Sequence, residues 1–249
     1  MQLSSLAATA AIALSLATTS ACGADASKAQ PGPEADVRAK IAERLDISPE
    51  DISPAPIPGL WEVSSGTEVG YVSQDGRYYI DGDVFDMDSR VNITDQRRKE
   101  ARVAVLKDVK DADAIVFAPK DVKYTINVFT DVDCTYCRKL HAEIDQLNQL
   151  GVKVRYLMYP RNGPGSPGWK QAEAVWCSAD RNDALTRAKR GEKISAPACK
   201  DPVADQYRLG RDAGINATPA IVTEQGDLIA GYMPAPRMVE RLKALAGQG

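Results

Sequence analysis

The N-terminal half of this chain is marked by hydrophobic and polar residues that alternate with a period of two. The alternating segments, separated by Gly or Asp-Gly turns, are 61–63, 68–72, 78–80 and 83–87. Such alternation is typical of half-buried antiparallel strands. A short amphipathic helix is predicted before them, at residues 37–46. This small domain would bury too little surface to be stable alone, so we expect it to pair with a second copy across a sheet edge.

The C-terminal half instead combines apolar runs with helical periodicity. Residues 124–130 and 152–159 are predicted as central strands, because they are apolar, β-branched and aromatic. Two shorter strands are predicted at 220–223 and 228–230. Helical patterns occur at 137–150, 169–179, 183–189, 202–213 and 237–246. The pattern indicates an α/β domain with inserted helices.

A charged helix separates the two halves. It is predicted to begin at a cap formed by Thr94 or Asp95 and to extend to Val109. It can be interpreted as an ordinary surface helix or as a spacer, and we favour the spacer because a new strand-helix unit starts just after it. The predicted fold class is α+β. The predicted segments are a small antiparallel sheet domain at 37–93, a linker helix and connector at 94–122, and an α/β domain at 123–249.

The first 21 residues have the features of a secretory signal peptide. Residues 6–18 are almost wholly apolar but too short to span a bilayer, and small residues follow. Cleavage before Cys22 would leave that cysteine for lipid attachment and membrane tethering, whereas cleavage after Ala26 would remove it. A buried N-terminal helix is the alternative to a signal peptide. Residues 22–36 are small, polar and Pro/Gly-containing, which predicts a flexible tether.

Composition excludes some classes of partner. The chain has 249 residues, 31 basic and 34 acidic side chains and a formal net charge of -3. It has no long basic run, so a nucleic-acid partner is not expected. The hydrophobic content of 44% is ordinary for a globular protein.

Apart from Cys22, the chain has four cysteines, and an even count in an exported protein suggests disulfides. The close spacing of Cys134 and Cys137 makes them a local pair, which leaves Cys177 with Cys199. The second pair would close a loop of about 22 residues and stabilise the fold by roughly 3 kcal/mol on the loop-entropy model. We predict that this second disulfide is structural and unreactive.

The motif Cys134-Thr135-Tyr136-Cys137 lies where a predicted strand turns into a helix. At a helix N-terminus, free backbone N–H groups and the helix dipole favour an anion, and the thiolate is the reactive form of cysteine. We therefore predict a redox site with Cys134 as nucleophile, Cys137 as the more buried resolving thiol, and Tyr136 in contact with substrate. A structural zinc site would need two further ligands at suitable spacing, so no metal is expected, and no cofactor is expected either. A purely structural disulfide is a further alternative, but it would be strained at this spacing and therefore labile.

Two further features accompany the motif. Thr218-Pro219 lies between a predicted helix and a predicted strand. A cis peptide bond there would present backbone groups with which an extended substrate could pair, although a trans proline is the default.

His141 is the only histidine of the chain. It is interpreted as an ordinary surface histidine or, alternatively, as a proton shuttle.

These residues resemble the thioredoxin superfamily and, more closely, the DsbC/DsbG family of bacterial periplasmic protein-disulfide isomerases. The matching segments are 71–78, 128–137, 159–161, 174–177, 214–220 and 231–232, together with Cys199. The resemblance implies a V-shaped homodimer joined through the N-terminal sheets, with thioredoxin-like domains that face a cleft for misfolded proteins. It also implies a structural disulfide between Cys177 and Cys199, and a redox site that the membrane protein DsbD keeps reduced.

The chain departs from the family pattern at three positions. Thr135 stands where glycine is more familiar, Arg138 where histidine is common, and Val128 where thioredoxins carry a buried carboxylate. Help with proton transfer must therefore come from another residue. Asp131 and Asp133 are interpreted as loop and capping residues.

The sequence thus predicts a periplasmic disulfide isomerase that acts on misfolded, disulfide-containing proteins and has some chaperone activity. The residues assigned to substrate contact are Thr135, Tyr136, Thr218 and Pro219. The alternatives are a DsbG-like reductase of sulfenylated single cysteines, a monomeric DsbA-like oxidant, and a peptide-binding chaperone in which the dithiol is incidental.

Overall fold

The computed structural model describes residues 33–247, so the predicted signal peptide and Cys22 lie outside the described residues. The helices are α1 (Pro33–Leu45), α2 (Ile93–Leu106), α3 (Thr135–Ala142), α4 (Ile144–Gln149), α5 (Pro167–Trp176), α6 (Arg181–Lys189), α7 (Val203–Asp212) and α8 (Ala235–Ala246). The strands are β1 (Ile52–Pro54), β2 (Leu60–Ser65), β3 (Glu68–Ser73), β4 (Tyr79–Ile80), β5 (Ile115–Phe117), β6 (Tyr124–Thr130), β7 (Val152–Met158), β8 (Ala220–Thr223) and β9 (Leu228–Ala230).

The first four strands form an antiparallel sheet in the order β1-β2-β3-β4. Helix α1 covers one face, and Ile41, Trp61 and Val72 form the centre of this small core. Residues 33–36, assigned to a tether from the sequence, form the first turn of α1. The prediction of a strand at 83–87 was wrong, because this segment forms only an isolated bridge from Phe85 to Asn92. The chain forms a turn there instead, because the Asp86 carboxylate accepts the backbone N–H groups of Asp88 and Ser89.

Helix α2 connects the two sheets. Near its start, the Thr94 hydroxyl is 2.7 Å from the Tyr71 hydroxyl of β3, and near its end Leu106 is buried against the second sheet. The helix begins earlier than predicted, because the side chain of Asn92, rather than Thr94 or Asp95, caps it by accepting the Asp95 N–H at 2.9 Å.

The second sheet has five strands in the order β5-β7-β6-β8-β9. Strands β6 and β7 are parallel, and the other neighbouring pairs are antiparallel. Strand β5 falls within the segment predicted as linker and connector, so the second sheet begins before residue 123.

Helices pack on both faces of this sheet. One face carries the larger core, to which α3 to α6 and α8 contribute, and the other packs against α2 and α7 around Phe129 and Leu157. Helices α5 to α7 form the insertion between β7 and β8. An α+β fold with a small antiparallel sheet and a thioredoxin-like domain is therefore confirmed. None of the helices between residues 33 and 247 has both the length and the hydrophobicity needed to cross a membrane.

The helix predicted at 137–150 is divided in two at Glu143, where the backbone leaves the helical region at φ -100° and ψ 14°. The Glu143 carboxylate accepts the hydroxyl of Tyr232 and, at 2.7 Å, the backbone N–H of Ala235 at the start of α8. Glu143 therefore joins the redox helix to the last helix of the chain.

Candidate redox site

Cys134 is the N-terminal cap of helix α3, immediately after strand β6 and a short turn. Its backbone N–H donates to the Asp131 carbonyl at 3.2 Å, and its own carbonyl accepts the Arg138 N–H at 3.0 Å. The Cys134 sulfur accepts the backbone N–H of Cys137 at 3.2 Å. The nucleophile predicted from the sequence is thus placed where backbone N–H groups favour the thiolate.

The loop that contains Thr218 and Pro219 lies directly beside this sulfur. The Cys134 Sγ is 3.2 Å from the Thr218 carbonyl oxygen, to which the thiol form donates. The Thr218–Pro219 peptide bond is cis. The structure therefore brings the motif together with a loop that lies more than 80 positions away in the sequence.

The two thiols differ in their tendency to ionise. Burial raises the pKa of Cys134, but the neighbouring side chains of Cys137 and Thr218, the Cys137 backbone N–H and the charge of Arg161 outweigh it, and the net pKa lies below its ordinary value. Burial raises the pKa of Cys137, and the charge of Lys189 offsets only part of that effect. Cys134 is therefore the thiol that ionises more readily, and Cys137 keeps its proton to higher pH.

Lys189, the last residue of α6, is an ionisable group that the sequence interpretation missed. Its side chain is 4% exposed, and its ammonium donates to the Thr130 hydroxyl at 2.6 Å and to the Asp131 carbonyl at 2.8 Å. Burial lowers the pKa of Lys189 to about 8, although the neighbouring Cys137 and Asp131 favour its charged form. A cation is thus buried below the CxxC motif, in a chain that has Val128 where thioredoxins carry a carboxylate.

The interpretation of Asp131 as a loop residue was incomplete. Its side chain is buried, and one carboxylate oxygen accepts both the backbone N–H and the Nε–H of Arg161 at 3.0 Å. The other oxygen accepts the Asp133 N–H at 2.9 Å. The carboxylate fixes the turn before Cys134 and holds the Arg161 guanidinium close enough to lower the Cys134 pKa.

The interpretation of His141 as a surface histidine was wrong, because its side chain is only 4% exposed. The Thr186 hydroxyl donates to the Asn182 carbonyl and therefore accepts from His141 Nε2 at 3.0 Å. His141 Nδ1 then accepts from the Tyr156 hydroxyl at 3.2 Å. Both nitrogens are satisfied in the neutral form, and burial lowers the His141 pKa to about 4. A neutral, fully bonded imidazole is a poor proton shuttle.

Outside the buried thiols, the motif presents an accessible surface. Thr135 is exposed and Tyr136 is 57% exposed, with the Lys139 ammonium 5.3 Å from the centre of the Tyr136 ring. An exposed aromatic ring beside a reactive sulfur can contact an apolar side chain of an incoming polypeptide.

The four cysteines fall into the two pairs predicted from the sequence. Cys177 and Cys199 form a disulfide with a Cα–Cα distance of 5.6 Å, and Cys134 and Cys137 are free thiols. Within residues 33–247, no three His, Cys, Asp or Glu side chains cluster in a way that could hold a metal ion.

A sequence signal for Lys189 does exist. Ala184, Leu185 and Ala188 form the buried stripe of α6, and Lys189 follows Leu185 by four residues, on the same helical face. A lysine on the apolar side of a helix is a candidate for a buried charge. Nothing local in the sequence identifies Arg161 as the partner of Asp131, because β7 separates them.

Two family models match this chain. One, described as a thioredoxin-like domain, matches residues 111–246, and the other, described as the N-terminal domain of disulfide bond isomerase protein, matches residues 7–95. The thiol:disulfide interchange protein DsbC of Dickeya dadantii (strain 3937) is 37% identical over 203 residues, which cover 81% of this chain and 83% of that protein. The protein of the same name from Escherichia coli (strain K12) is 36% identical over 201 residues, covering 80% and 83%.

A crystal structure of a disulfide interchange protein from Neisseria gonorrhoeae is also similar. It has a TM-score of 0.49 and 30% sequence identity, and the match covers 55% of this chain and 97% of that one.

Proposed function

This chain belongs to the DsbC family of thiol:disulfide interchange proteins, and from that premise we propose that it isomerises non-native disulfide bonds in exported proteins. The observation that supports this most directly is the environment of Cys134. A thiol with a lowered pKa caps a helix, lies beside the Thr218 carbonyl and is followed one turn later by a second, less acidic thiol.

In the first step, the Cys134 thiolate attacks one sulfur of a substrate disulfide. The substrate S–S bond breaks, a mixed disulfide with Cys134 forms, and the other substrate sulfur leaves as a thiolate. The lowered pKa of Cys134 increases the share of this thiol that is present as the attacking thiolate, and it also makes Cys134 a better leaving group in the next step.

The mixed disulfide can resolve in two ways. In isomerisation, another substrate thiolate attacks the substrate sulfur bound to Cys134, which forms a new substrate disulfide and releases the Cys134 thiolate. In reduction, the Cys137 thiolate attacks Cys134 Sγ, which leaves the dithiol oxidised and the substrate cysteine reduced. The raised pKa of Cys137 slows the second route and gives the substrate time to rearrange.

Lys189 acts on the reductive route. Its ammonium favours the thiolate form of Cys137, and a lysine with a pKa of about 8 can accept the Cys137 proton when the amine is neutral. It would thus do the work that a buried carboxylate does in thioredoxins.

Substrate binding is assigned to the surface around the motif. Thr135 and Tyr136 are exposed next to Cys134 in the chain, and the Thr218 carbonyl of the Thr218–Pro219 loop is 3.2 Å from the Cys134 sulfur. An extended polypeptide could add to the backbone of that loop while its cysteine reaches Cys134.

We propose that residues 37–93 dimerise through the free edge of β4. Residues 79 and 80 form the edge strand of the first sheet, and no strand within residues 33–247 pairs with their outer side. Five apolar side chains are exposed in this strand or within seven residues of it in the sequence: Tyr78, Tyr79, Ile80, Phe85 and Met87. A strand edge with exposed apolar side chains is typical of a surface that pairs with another chain.

The oligomeric state tests this proposal. We expect the wild-type chain to measure as a dimer by light scattering after size-exclusion chromatography, and the Ile80→Lys variant to measure as a monomer. Val122, which is 45% exposed and lies between β5 and β6 of the second sheet in the sequence, supplies a matched control. A Val122→Lys dimer beside an Ile80→Lys monomer supports the proposal, and a dimeric Ile80→Lys protein contradicts it.

The cellular setting follows from the chemistry. Disulfides form outside the cytosol, so we propose a periplasmic location after removal of the N-terminal segment. An isomerase needs a reduced Cys134, and the family resemblance assigns that reduction to the membrane protein DsbD. Lipidation of Cys22 would additionally tether the protein to the membrane.

The test of function is the reactivation of scrambled, fully oxidised ribonuclease in a glutathione buffer, measured with wild-type protein and with Cys134→Ser. We expect wild type to restore ribonuclease activity and the variant to remain at the rate of the buffer alone. Restoration by both proteins would indicate a dithiol-independent chaperone. Restoration by neither, combined with rapid reduction of a sulfenylated single-cysteine protein, would instead support the sulfenic-acid reductase.

A further inference from the structure

A cavity of about 550 Å³ lies on the side of the molecule where the first sheet, helix α2 and the second sheet meet. The turn between β2 and β3 contributes Thr67, the first residue of β3 contributes Glu68, and the loop after α7 contributes 214–216. The turn packs tightly on the loop, because a Cβ at Gly214 would lie 2.4 Å from the Thr67 hydroxyl oxygen. Cavities of this volume are typical of sites for small molecules.

Three arginines line the cavity, namely Arg98, Arg102 and Arg211. Glu68 is the only carboxylate among the described residues that line it. Arg98 has a partner in Asp83, at 2.6 Å. Arg211 is exposed and makes no ion pair with any residue between 33 and 247. The lining therefore carries an excess of positive charge.

Arg102 is the most informative of the three, because its side chain is buried. It is 5% exposed, its Nη1 donates to the Gly226 carbonyl at 3.1 Å, and its Nη1 is 3.9 Å from the nearest Asp95 oxygen. Its Nε has no hydrogen-bond partner among the described residues. Burial lowers the pKa of Arg102, so the nearby carboxylates do not fully compensate its charge. A buried cation in this state is stabilised by any additional anion.

We propose that this cavity binds a small phosphorylated molecule or free phosphate, held by Arg102 and Arg211. Guanidinium groups match the oxygens of phosphate with paired N–H donors, and the Thr67 hydroxyl and Asn216 amide supply neutral groups at the same wall. The ligand would contact elements of both sheets and supply the negative charge that the arginines lack. Neither the thiol chemistry nor the proposed dimer edge uses this site.

Thermal unfolding monitored by fluorescence tests the proposal with inorganic phosphate as the probe. Chloride at matched ionic strength is the reference, and citrate tests whether a carboxylate serves equally well. Arg211→Gln is the informative variant, because an exposed side chain can be replaced without disturbing the core. Arg208→Gln is the matched control, since Arg208 is on the same helix but pairs with Asp205 and does not line the cavity.

We expect phosphate to raise the Tm of the wild type and of Arg208→Gln in a saturable way, because a ligand that binds only the folded state stabilises it. In Arg211→Gln the apparent affinity should fall at least about tenfold, leaving only the weak, non-saturating stabilisation that phosphate gives any protein. An equal response of Arg211→Gln and wild type would overturn the site. An equal response to citrate and phosphate would overturn the ligand class.

Discussion

The ammonium of Lys189 lies 2.8 Å from the carbonyl oxygen of Asp131, and the same oxygen accepts the backbone N–H of Cys134. One acceptor thus joins a buried cation to the turn that begins the redox helix. Lys189 is therefore a structural part of the thiol site, although it comes 52 positions after Cys137 in the sequence.

Replacing Lys189 by methionine should stabilise the protein. The pKa of Lys189 is about 8 in the folded state, against 10.5 for a solvated lysine, so burial of its charge costs about 3 kcal/mol at pH 7. This cost is fully present below pH 8 and decreases as the pH rises toward 10.5, because the unfolded chain then holds the proton more often than the folded one. We expect Lys189→Met to be more stable by urea unfolding at pH 7, by up to about 3 kcal/mol, and the difference to shrink at pH 10.

The same substitution should impair the chemistry of Cys137. Without the Lys189 charge, the pKa of Cys137 should rise further above its ordinary value. The measurement is the pH dependence of Cys137 alkylation in a Cys134→Ser background, where Cys137 is the reactive thiol. Lys139→Met, which removes an exposed charge from the redox helix itself, is the control. An alkylation profile that is identical with and without Lys189 would contradict the role proposed for this residue.

Replacing Cys137 by serine should trap the mixed disulfide. The first attack needs only Cys134, whose low pKa depends in part on the Cys137 backbone N–H, and a serine retains that group. We expect covalent complexes with substrate on non-reducing gels, which disappear when dithiothreitol is added. Cys134→Ser should form none, and complexes at comparable yield in Cys134→Ser would show that Cys134 is not the nucleophile.

His141 should make the fold sensitive to acid. Its pKa is about 4 in the folded protein, against 6.5 for a solvated histidine, so the neutral form is favoured by folding. The contribution of neutral His141 to the free energy of unfolding is fully present above pH 6.5. It decreases by about 3 kcal/mol as the pH falls toward 4, because the unfolded chain takes up the proton first. In His141→Gln this part of the decline should vanish. The loss of stability is measured by denaturant unfolding of wild type and His141→Gln at pH 7 and at about pH 4.5. An equal loss in the two proteins would show that other groups cause the acid sensitivity.

The disulfide between Cys177 and Cys199 should contribute to stability and not to thiol exchange. It closes a loop with a sequence separation of 22, and it is the only disulfide within residues 33–247. We expect the double variant Cys177→Ser/Cys199→Ser to lose roughly 3 kcal/mol of unfolding free energy. Cys134 should keep its alkylation rate at pH 7. A large change in that rate would show that the bridge supports the redox site as well.

The parts of the fold that could be predicted from the sequence have a strong local signal. Apolar runs identified β6 and β7, and the spacing of Cys134 and Cys137 at a strand-to-helix junction located the site. The errors arose where side-chain chemistry overrides the pattern. Asn92 caps α2 ahead of both predicted capping residues, and Asp86 forms a turn where alternation suggested a strand.

The contacts of the buried charges could not be predicted for a different reason. Asp131 looks in the sequence like an ordinary loop residue, and only the fold brings its carboxylate to the exposed Arg161 after β7. Lys189 lies on the apolar side of α6, but no local pattern shows that α6 packs against the motif. His141 looked like a surface residue because its helix carries charged neighbours. Its burial depends on Tyr156 and Thr186, which no local pattern connects to it.

The break in the redox helix at Glu143 has a consequence for the end of the chain. One carboxylate holds both Tyr232 and the first N–H of α8, so the last helix is anchored to the segment that carries Cys137. A protein shortened before Tyr232 would leave that carboxylate without both partners and uncover the core that α8 covers. Proteolytic removal of this segment would therefore disturb the helix that carries Cys137, although no residue of α8 belongs to the motif.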